Sequence, residues 1–223
     1  MTGATTPFSI GRRGFGAAGL ALASGLASLA VAPARAVAQT ARVPPTPRQT
    51  AGPFYPVDWS GDADADLVRV AGEAARAQGT VTHLRGRVLD ARGEPVPGAV
   101  VEIWQCDAHG RYRHPRDRAD GRDAGFQGRG RTLAGADGAY AFRTIRPVAY
   151  PGRTPHIHVA VAAPGRETLV TQFYVAGEPL NARDGLFASL RDPLLREAVL
   201  LRLDAAERIE PGALLASRDI VLG

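Results

Sequence analysis

From Val81 onward the chain breaks into short runs rich in Val, Ile, Thr and aromatic residues, each soon closed off by a glycine- or proline-bearing turn. V-T-H-L-R-G-R-V-L-D leads into A-R-G-E-P-V-P-G and then A-V-V-E-I-W-Q-C, which reads as two strands and a connection. A-D-G-A-Y-A-F-R-T-I carries a turn and then the alternation of Tyr140 and Phe142. H-I-H-V-A-V-A-A and L-V-T-Q-F-Y-V-A are two more strands, and Asp219 to Leu222 can close a sheet near the C-terminus. One convincing helical pattern exists, D-P-L-L-R-E-A-V-L-L-R-L, with Asp192 as cap and Pro193 at the first helical position. Strands at this spacing with one late helix predict an all-β fold, an antiparallel β-sandwich with a short C-terminal helix, and exclude a βαβ architecture.

The N-terminal end does not belong to that pattern. Met1 to Arg13 is basic and free of acids, Gly14 to Val31 is small and apolar, and Ala36-Val37-Ala38 has the form of a processing site. Residues 1–38 therefore read as an export signal peptide and not as a stable membrane anchor. S-I-G-R-R-G-F-G resembles a twin-arginine signal, which implies the twin-arginine export machinery as a partner and a periplasmic or extracellular location. A proline-rich arm follows over residues 39–49, expected on the domain surface or disordered, and residues 50–223 are expected to form one domain. D-A-D-A-D at 62–66 reads as a solvated turn, and residues 68–79 fit either a short helix or an irregular crossing.

The formal charge of +5 includes Arg12, Arg13 and Arg35, so the mature chain carries about +2 with no basic run, which argues against a nucleic-acid partner. Cys106 is the only cysteine, so no intramolecular disulfide exists and the residue reads as a small buried hydrophobe.

Side chains alternate along a strand, so in the stretch Y-P-G-R-T-P-H-I-H the residues His156 and His158 share one face while Ile157 packs into the core. Tyr150 precedes them across a loop whose prolines and glycine can turn its phenol back, and Tyr112 arrives from H-G-R-Y-R-H. A phenol with a pKa near ~10 ionises at neutral pH only when a strong Lewis acid holds it. Two phenolates and two imidazoles form a hard, oxygen-rich set that suits ferric iron better than zinc.

The motifs T-A-G-P-F-Y-P, L-R-G-R-V-L-D-A-R-G-E-P-V-P-G-A-V-V-E-I-W-Q-C-D-A-H-G-R-Y-R-H, F-Q-G-R-G-R-T-L-A-G-A-D-G-A-Y-A-F-R-T-I-R-P, Y-P-G-R-T-P-H-I-H and T-Q-F-Y resemble the intradiol ring-cleavage dioxygenases. The resemblance implies a non-haem Fe(III) held by Tyr112, Tyr150, His156 and His158. It also implies an Arg153 that steadies developing negative charge, a Tyr150 that serves as internal base, and Gln172 lining the pocket. The implied reaction joins a catechol-type small molecule and O2, cleaving the ring between its hydroxylated carbons to a cis,cis-muconate. His114 is expected to support Tyr112. The loop between Tyr150 and His156 is shorter than is usual in the family, which predicts an open cleft; oligomerisation is compatible with the sequence. The competing reading is a secreted transthyretin-like binding module, which V-L-D-A-R-G-E-P-V-P-G-A-V-V-E also resembles but which has no use for two tyrosines and H-x-H in register.

Overall fold

A computed structural model describes residues 43–117 and 120–223, so residues 1–38, expected to be an export signal, lie outside the described residues. Among the described residues ten strands form two sheets: β1 (Val81–Asp90), β2 (Val100–Trp104), β3 (Arg129–Leu133), β4 (Ala139–Ile145), β5 (His156–Ala162), β6 (Leu169–Val175), β7 (Leu200–Leu201), β8 (Leu203–Ala205), β9 (Leu214–Ser217) and β10 (Ile220–Leu222). One sheet is centred on β1, with β4 antiparallel on one side and β9 and β10 parallel on the other; β8 completes it beyond β9. The other runs β3-β2-β5-β6-β7.

The sandwich expectation holds, with a refinement: β1 with β9, β1 with β10 and β6 with β7 pair in parallel. The C-terminal strands return alongside β1 in its own direction, a long-range event that no local pattern encodes. Between the sheets lies the main core, built by Leu84, Phe142 and Ile145 from one sheet and Ile103, Ile157, Val159 and Phe173 from the other. Because Ile157, Val159 and Val161 face inward, His156, His158 and Ala160 face out of the sandwich from the central strand of its sheet.

The helical segment is shorter than its sequence pattern. Asp192 does cap α2 by accepting from Leu194 N, but the helix covers only Pro193–Glu197. A single helical turn has little stability of its own, and the following Val199-Leu200-Leu201 gains more by burying Val199 and pairing β7 with β6. Residues 178–190 hold what the sequence did not announce, a 3₁₀ turn over Pro179–Arg183 followed by α1 (Gly185–Ser189). Among the described residues no helix is long and apolar enough to cross a membrane.

Residues 68–79 form an irregular crossing made of turns. The D-A-D-A-D segment is more than a solvated turn: Ala63 O and Ala65 O accept from Arg131 N and Arg143 N, and Asp66 pairs with the Arg143 guanidinium at 3.1 Å. Residues 43–49 of the arm are tied down on the domain. Thr46 N donates to Val221 O, Val221 N donates back to Thr46 Oγ1, and Gln49 N donates to Val170 O.

Candidate metal centre

Three elements bring the four predicted ligands together. On β5, His156 and His158 stand in the outer layer, where the register sets Trp104 and Gln172 directly on either side of His158, and Tyr174 beside His156. Tyr150 begins a tight turn: its backbone exchanges two hydrogen bonds with Arg153, with Pro151 and Gly152 at the turn. Gly152 has φ 81°, the left-handed conformation that the third position of a type II turn requires. Tyr112 arrives from the loop after β2, organised by the buried Asp107, which accepts from His109 N, Arg111 N and Asp123 N. That loop passes so close that a Cβ on Gly110 would stand 3.1 Å from the Cβ of Tyr150. The short spacing is needed to bring the two phenols together, and their rings meet edge to face with centroids 5.6 Å apart.

The donor atoms converge. Tyr112 Oη lies 3.4 Å from His156 Nε2, which lies 3.2 Å from His158 Nε2. Thr154 O can only accept, so His156 Nδ1 donates to it at 2.6 Å and the Nε2 lone pair points at the other donors. His158 Nδ1 meets no partner. Its ring is instead held flat against Trp104, centroids 4.8 Å apart and planes 7° from parallel. Tyr150 packs 5.5 Å from the His156 ring.

Both imidazoles are neutral. Burial, with the Arg153 charge adding, takes His156 down to about 4, and burial with the neighbouring His156 takes His158 well below its usual value. Burial holds both phenols above their ordinary value, Tyr112 well above it. The site therefore assembles neutral bases and unionised phenols around one point, which is the state from which a cation can displace phenolic protons and collect four ligands. Among the described residues no cluster of three or more His, Cys, Asp or Glu offers a metal an alternative. The donor set fits a hard trivalent ion.

Arg153 stands beside this centre on the wall of a cleft of about 250 Å³, together with Tyr150, Thr154, Leu180 and Arg183. Burial opposes its charge and the Asp184 carboxylate outweighs that, so its pKa is raised and the guanidinium is firmly cationic. Gln172, expected to line the pocket, is fully buried behind Arg153: it accepts from Arg153 at 2.5 Å and donates to Thr50 O at 3.0 Å. His114 supports Tyr112 directly, donating its backbone N–H to Tyr112 O at 2.8 Å, and through Phe54, which it meets edge-on and whose ring stacks on Tyr112 at 4.5 Å. Cys106 is buried, and burial pushes its thiol up to about 12, so it is inert.

The short loop Pro151–Pro155 lends Gly152, Arg153 and Thr154 to the cleft, which is further walled by other segments. Leu180 and Arg183 close one side from the 3₁₀ turn, while in the 50–54 segment Gly52 lies against the His158 ring and Phe54 stacks on Tyr112. Sequence reasoning missed Asp184 and the stacking role of Trp104. The cap signal of an Asp before G-L-F was available for Asp184, although nothing local tied it to Arg153.

A β-sandwich carrying two buried imidazoles and two phenols together, beside a cleft with a fixed arginine, has the donor set of a mononuclear non-haem metal centre. The Dioxygenase family model, Dioxygenase_C, matches residues 50–221, and the chain belongs to this intradiol ring-cleavage dioxygenase family. It is 37% identical over 184 residues to the protocatechuate 3,4-dioxygenase beta chain of Burkholderia cepacia, covering 78% of each chain. It is 38% identical over 141 residues to the hydroxyquinol 1,2-dioxygenase of Nocardioides simplex, covering 55% of this chain and 46% of that protein. The chain thus spans about half the length of that relative. Among solved structures it resembles the dioxygenase domain of a dioxygenase carbohydrate-binding protein fusion from Streptomyces sp. SirexAA-E. That match has 35% identity and a TM-score of 0.63 over 80% of this chain and 98% of that one. Catechol 1,2-dioxygenase from Acinetobacter sp. ADP1 matches with 27% identity and a TM-score of 0.61, over 79% of this chain and 62% of that one. The protein is a ring-cleaving dioxygenase of a family that uses non-haem Fe(III).

Proposed function

We propose that this chain cleaves a catechol-type diol between its two hydroxylated carbons, inserting both atoms of O2 to give a cis,cis-muconate-type product. The observation that carries this reading is the convergence of Tyr112 Oη, His156 Nε2 and His158 Nε2 within 3.4 Å steps, beside a cleft that Tyr150 and Arg153 line. Tyr112, Tyr150, His156 and His158 would hold the ferric ion, which supplies a Lewis acid able to keep phenolic and catecholic oxygens ionised at neutral pH.

The chain's own residues divide the remaining work. Tyr112 is almost fully buried and would serve as a fixed ligand, whereas Tyr150 is half-buried on the cleft wall and, once the ferric ion had displaced its own proton, would be the phenolate placed to take a proton from an incoming hydroxyl. Arg153 presents a permanent cation to the negative charge that the ring and oxygen develop, the kind of preorganised group whose loss costs on the order of 10²–10³ in rate. Trp104 and Tyr112 pack against the His158 ring and Phe54 stacks on Tyr112, which keeps bulk water from that side of the centre.

The test is oxygen uptake with a panel of catechol, protocatechuate and hydroxyquinol, with the product identified by mass and ultraviolet absorbance. Consumption of one O2 per ring with a ring-opened dicarboxylate supports the reading; a product cleaved outside the diol, or no turnover after iron loading, overturns it. We also propose that residues 1–38 direct export. The motivation is the paired Arg12-Arg13 ahead of an apolar stretch and a small-residue processing site. Substituting Lys for both arginines should then leave unprocessed precursor inside the cell, and an unaltered exported fraction would argue against it.

A further inference from the structure

Asp184 has no side-chain exposure and is used at both ends. Its Oδ1 accepts from Leu186 N at 3.0 Å and Phe187 N at 3.1 Å, capping α1. Its Oδ2 accepts from Arg153 Nε at 2.8 Å and Thr154 N at 3.1 Å, reaching into the loop between Tyr150 and His156. One carboxylate therefore joins the wall of the cleft to the loop that carries the candidate ligands. A second link runs parallel to it, from Thr154 Oγ1 to Asn181 Oδ1 at 2.8 Å.

On its other edge the Arg153 guanidinium donates to Gln172 Oε1, and Gln172 Nε2 is anchored on Thr50 O. The guanidinium is thus gripped from two sides, by Asp184 on Nε and by Gln172 on a terminal nitrogen. A planar fork held at two separated donors cannot rotate about its stem, so its direction is fixed before substrate arrives. A lysine in the same place would keep the charge and lose that second point of attachment.

We propose that Asp184 is a positioning residue for the ring-cleavage reaction: it aims Arg153 into the cleft and locks the 178–190 segment to the loop between Tyr150 and His156. This rests on the catechol-cleaving function proposed above. The carboxylate itself is saturated by four donors and does not line up as a base. Its effect is on the geometry of Arg153, and misplacement of a catalytic group by about 1 Å costs on the order of 10²-fold in rate.

Asp184→Asn keeps the shape and one acceptor oxygen, so one of the two ends loses its acceptor while the packing stays. In iron-loaded protein, Asp184→Asn should lower kcat about 10- to 100-fold with KM changed less than about threefold, and in an Arg153→Ala background it should add less than about threefold. In iron-free protein, thermal melting gives an independent reading. Arg153→Ala leaves a buried carboxylate without its cation and should melt well below wild type, and adding Asp184→Asn should restore part of that loss. Arg153→Lys covers the case in which Asp184→Asn does not fold; a kcat near that of Arg153→Ala is expected, and a wild-type kcat would overturn the proposal. A wild-type kcat in Asp184→Asn, or additive losses in the double variant, would overturn it equally. Wild-type protein inactive on every catechol would sink the proposed function instead, and the melting cycle would then decide the Asp184 to Arg153 coupling on its own.

Discussion

Trp104 lies flat on His158, ring centroids 4.8 Å apart and planes 7° from parallel, and this contact takes the place of the hydrogen bond that His158 Nδ1 lacks. His156 is oriented by a carbonyl, His158 by an indole. Trp104 is itself fully buried and meets Tyr55 edge-on at 5.0 Å. Replacing Trp104 by Ala should therefore cost about 3–5 kcal/mol of stability and also loosen His158. Replacing it by Phe should retain most of the stability, with iron affinity lowered about 10-fold, as for loss of an orienting partner of a ligand. Iron titration followed by melting of both variants checks this; unchanged iron affinity in Trp104→Ala would mean that the strand alone aims His158.

The two phenols should report on the metal directly. Purified protein is expected to hold about one ferric ion per chain and to be red-brown, because phenolate bound to ferric iron absorbs in the visible. Tyr112→Phe removes the buried phenol 3.4 Å from His156 Nε2 and should lower both iron retention and the visible band. Tyr150→Phe removes the phenol on the cleft wall and should shift the band while slowing turnover more than it weakens iron binding. Full occupancy by zinc or copper, with no visible band after ferric loading, would contradict the ligand assignment.

Far from the cleft, Glu210 gives the fold an acid-sensitive tie. Its two oxygens accept from Arg143 Nε and a terminal nitrogen of the same guanidinium, both at 2.8 Å, and His83 Nε2 stands 3.1 Å away. The Arg143 hydrogen bonds hold the Glu210 carboxyl down at about 2, against an ordinary value of 4.5. A depressed carboxylate adds stability above its unfolded pKa and loses it as pH falls through the folded value, so the loss should run from about pH 4.5 to about pH 2. Melting of wild type against Glu210→Gln should show a gap of roughly 2–8 °C at pH 7, closing over that window. A gap that persists at pH 2 would assign the effect to packing.

The cleft should accept ring substituents and favour acidic ones. Its outer wall is Leu180 and Arg183, both partly or wholly exposed, while the loop Pro151–Pro155 contributes no lid. Among 4-substituted catechols of increasing size, kcat/KM should fall only gently. An anionic substituent should gain about 1 kcal/mol over a neutral one of equal size, a factor of about five, from the Arg183 charge, and Arg183→Ala should remove that difference. A sharp cut-off at the smallest catechol would show that the 178–190 segment closes more tightly in the working enzyme.

Much of this site was legible in the linear chain because it rests on local rules. Alternation puts His156 and His158 on one face and Ile157 in the core, Pro151-Gly152 dictates the turn that brings Tyr150 back beside Arg153, and Asp192-Pro193 starts α2. The order of tyrosines and histidines then carried the family resemblance. The length of α2 was misread because a single turn of helix cannot compete with a strand edge that buries Val199.

Backbone period and side-chain type therefore set the turn-punctuated strands, the shared face of the histidines and the chemistry of the donor set. Only the closed sheets set which strands run parallel, that Trp104 and Gln172 flank His158, that Gly52 and Phe54 pack on His158 and Tyr112, and that Asp184 is the carboxylate gripping Arg153. Any of the chain's acids could pair with Arg153 as far as local sequence is concerned. The choice among them is made by register and packing between segments distant in the chain, and that information exists only once the sheets have closed on their core.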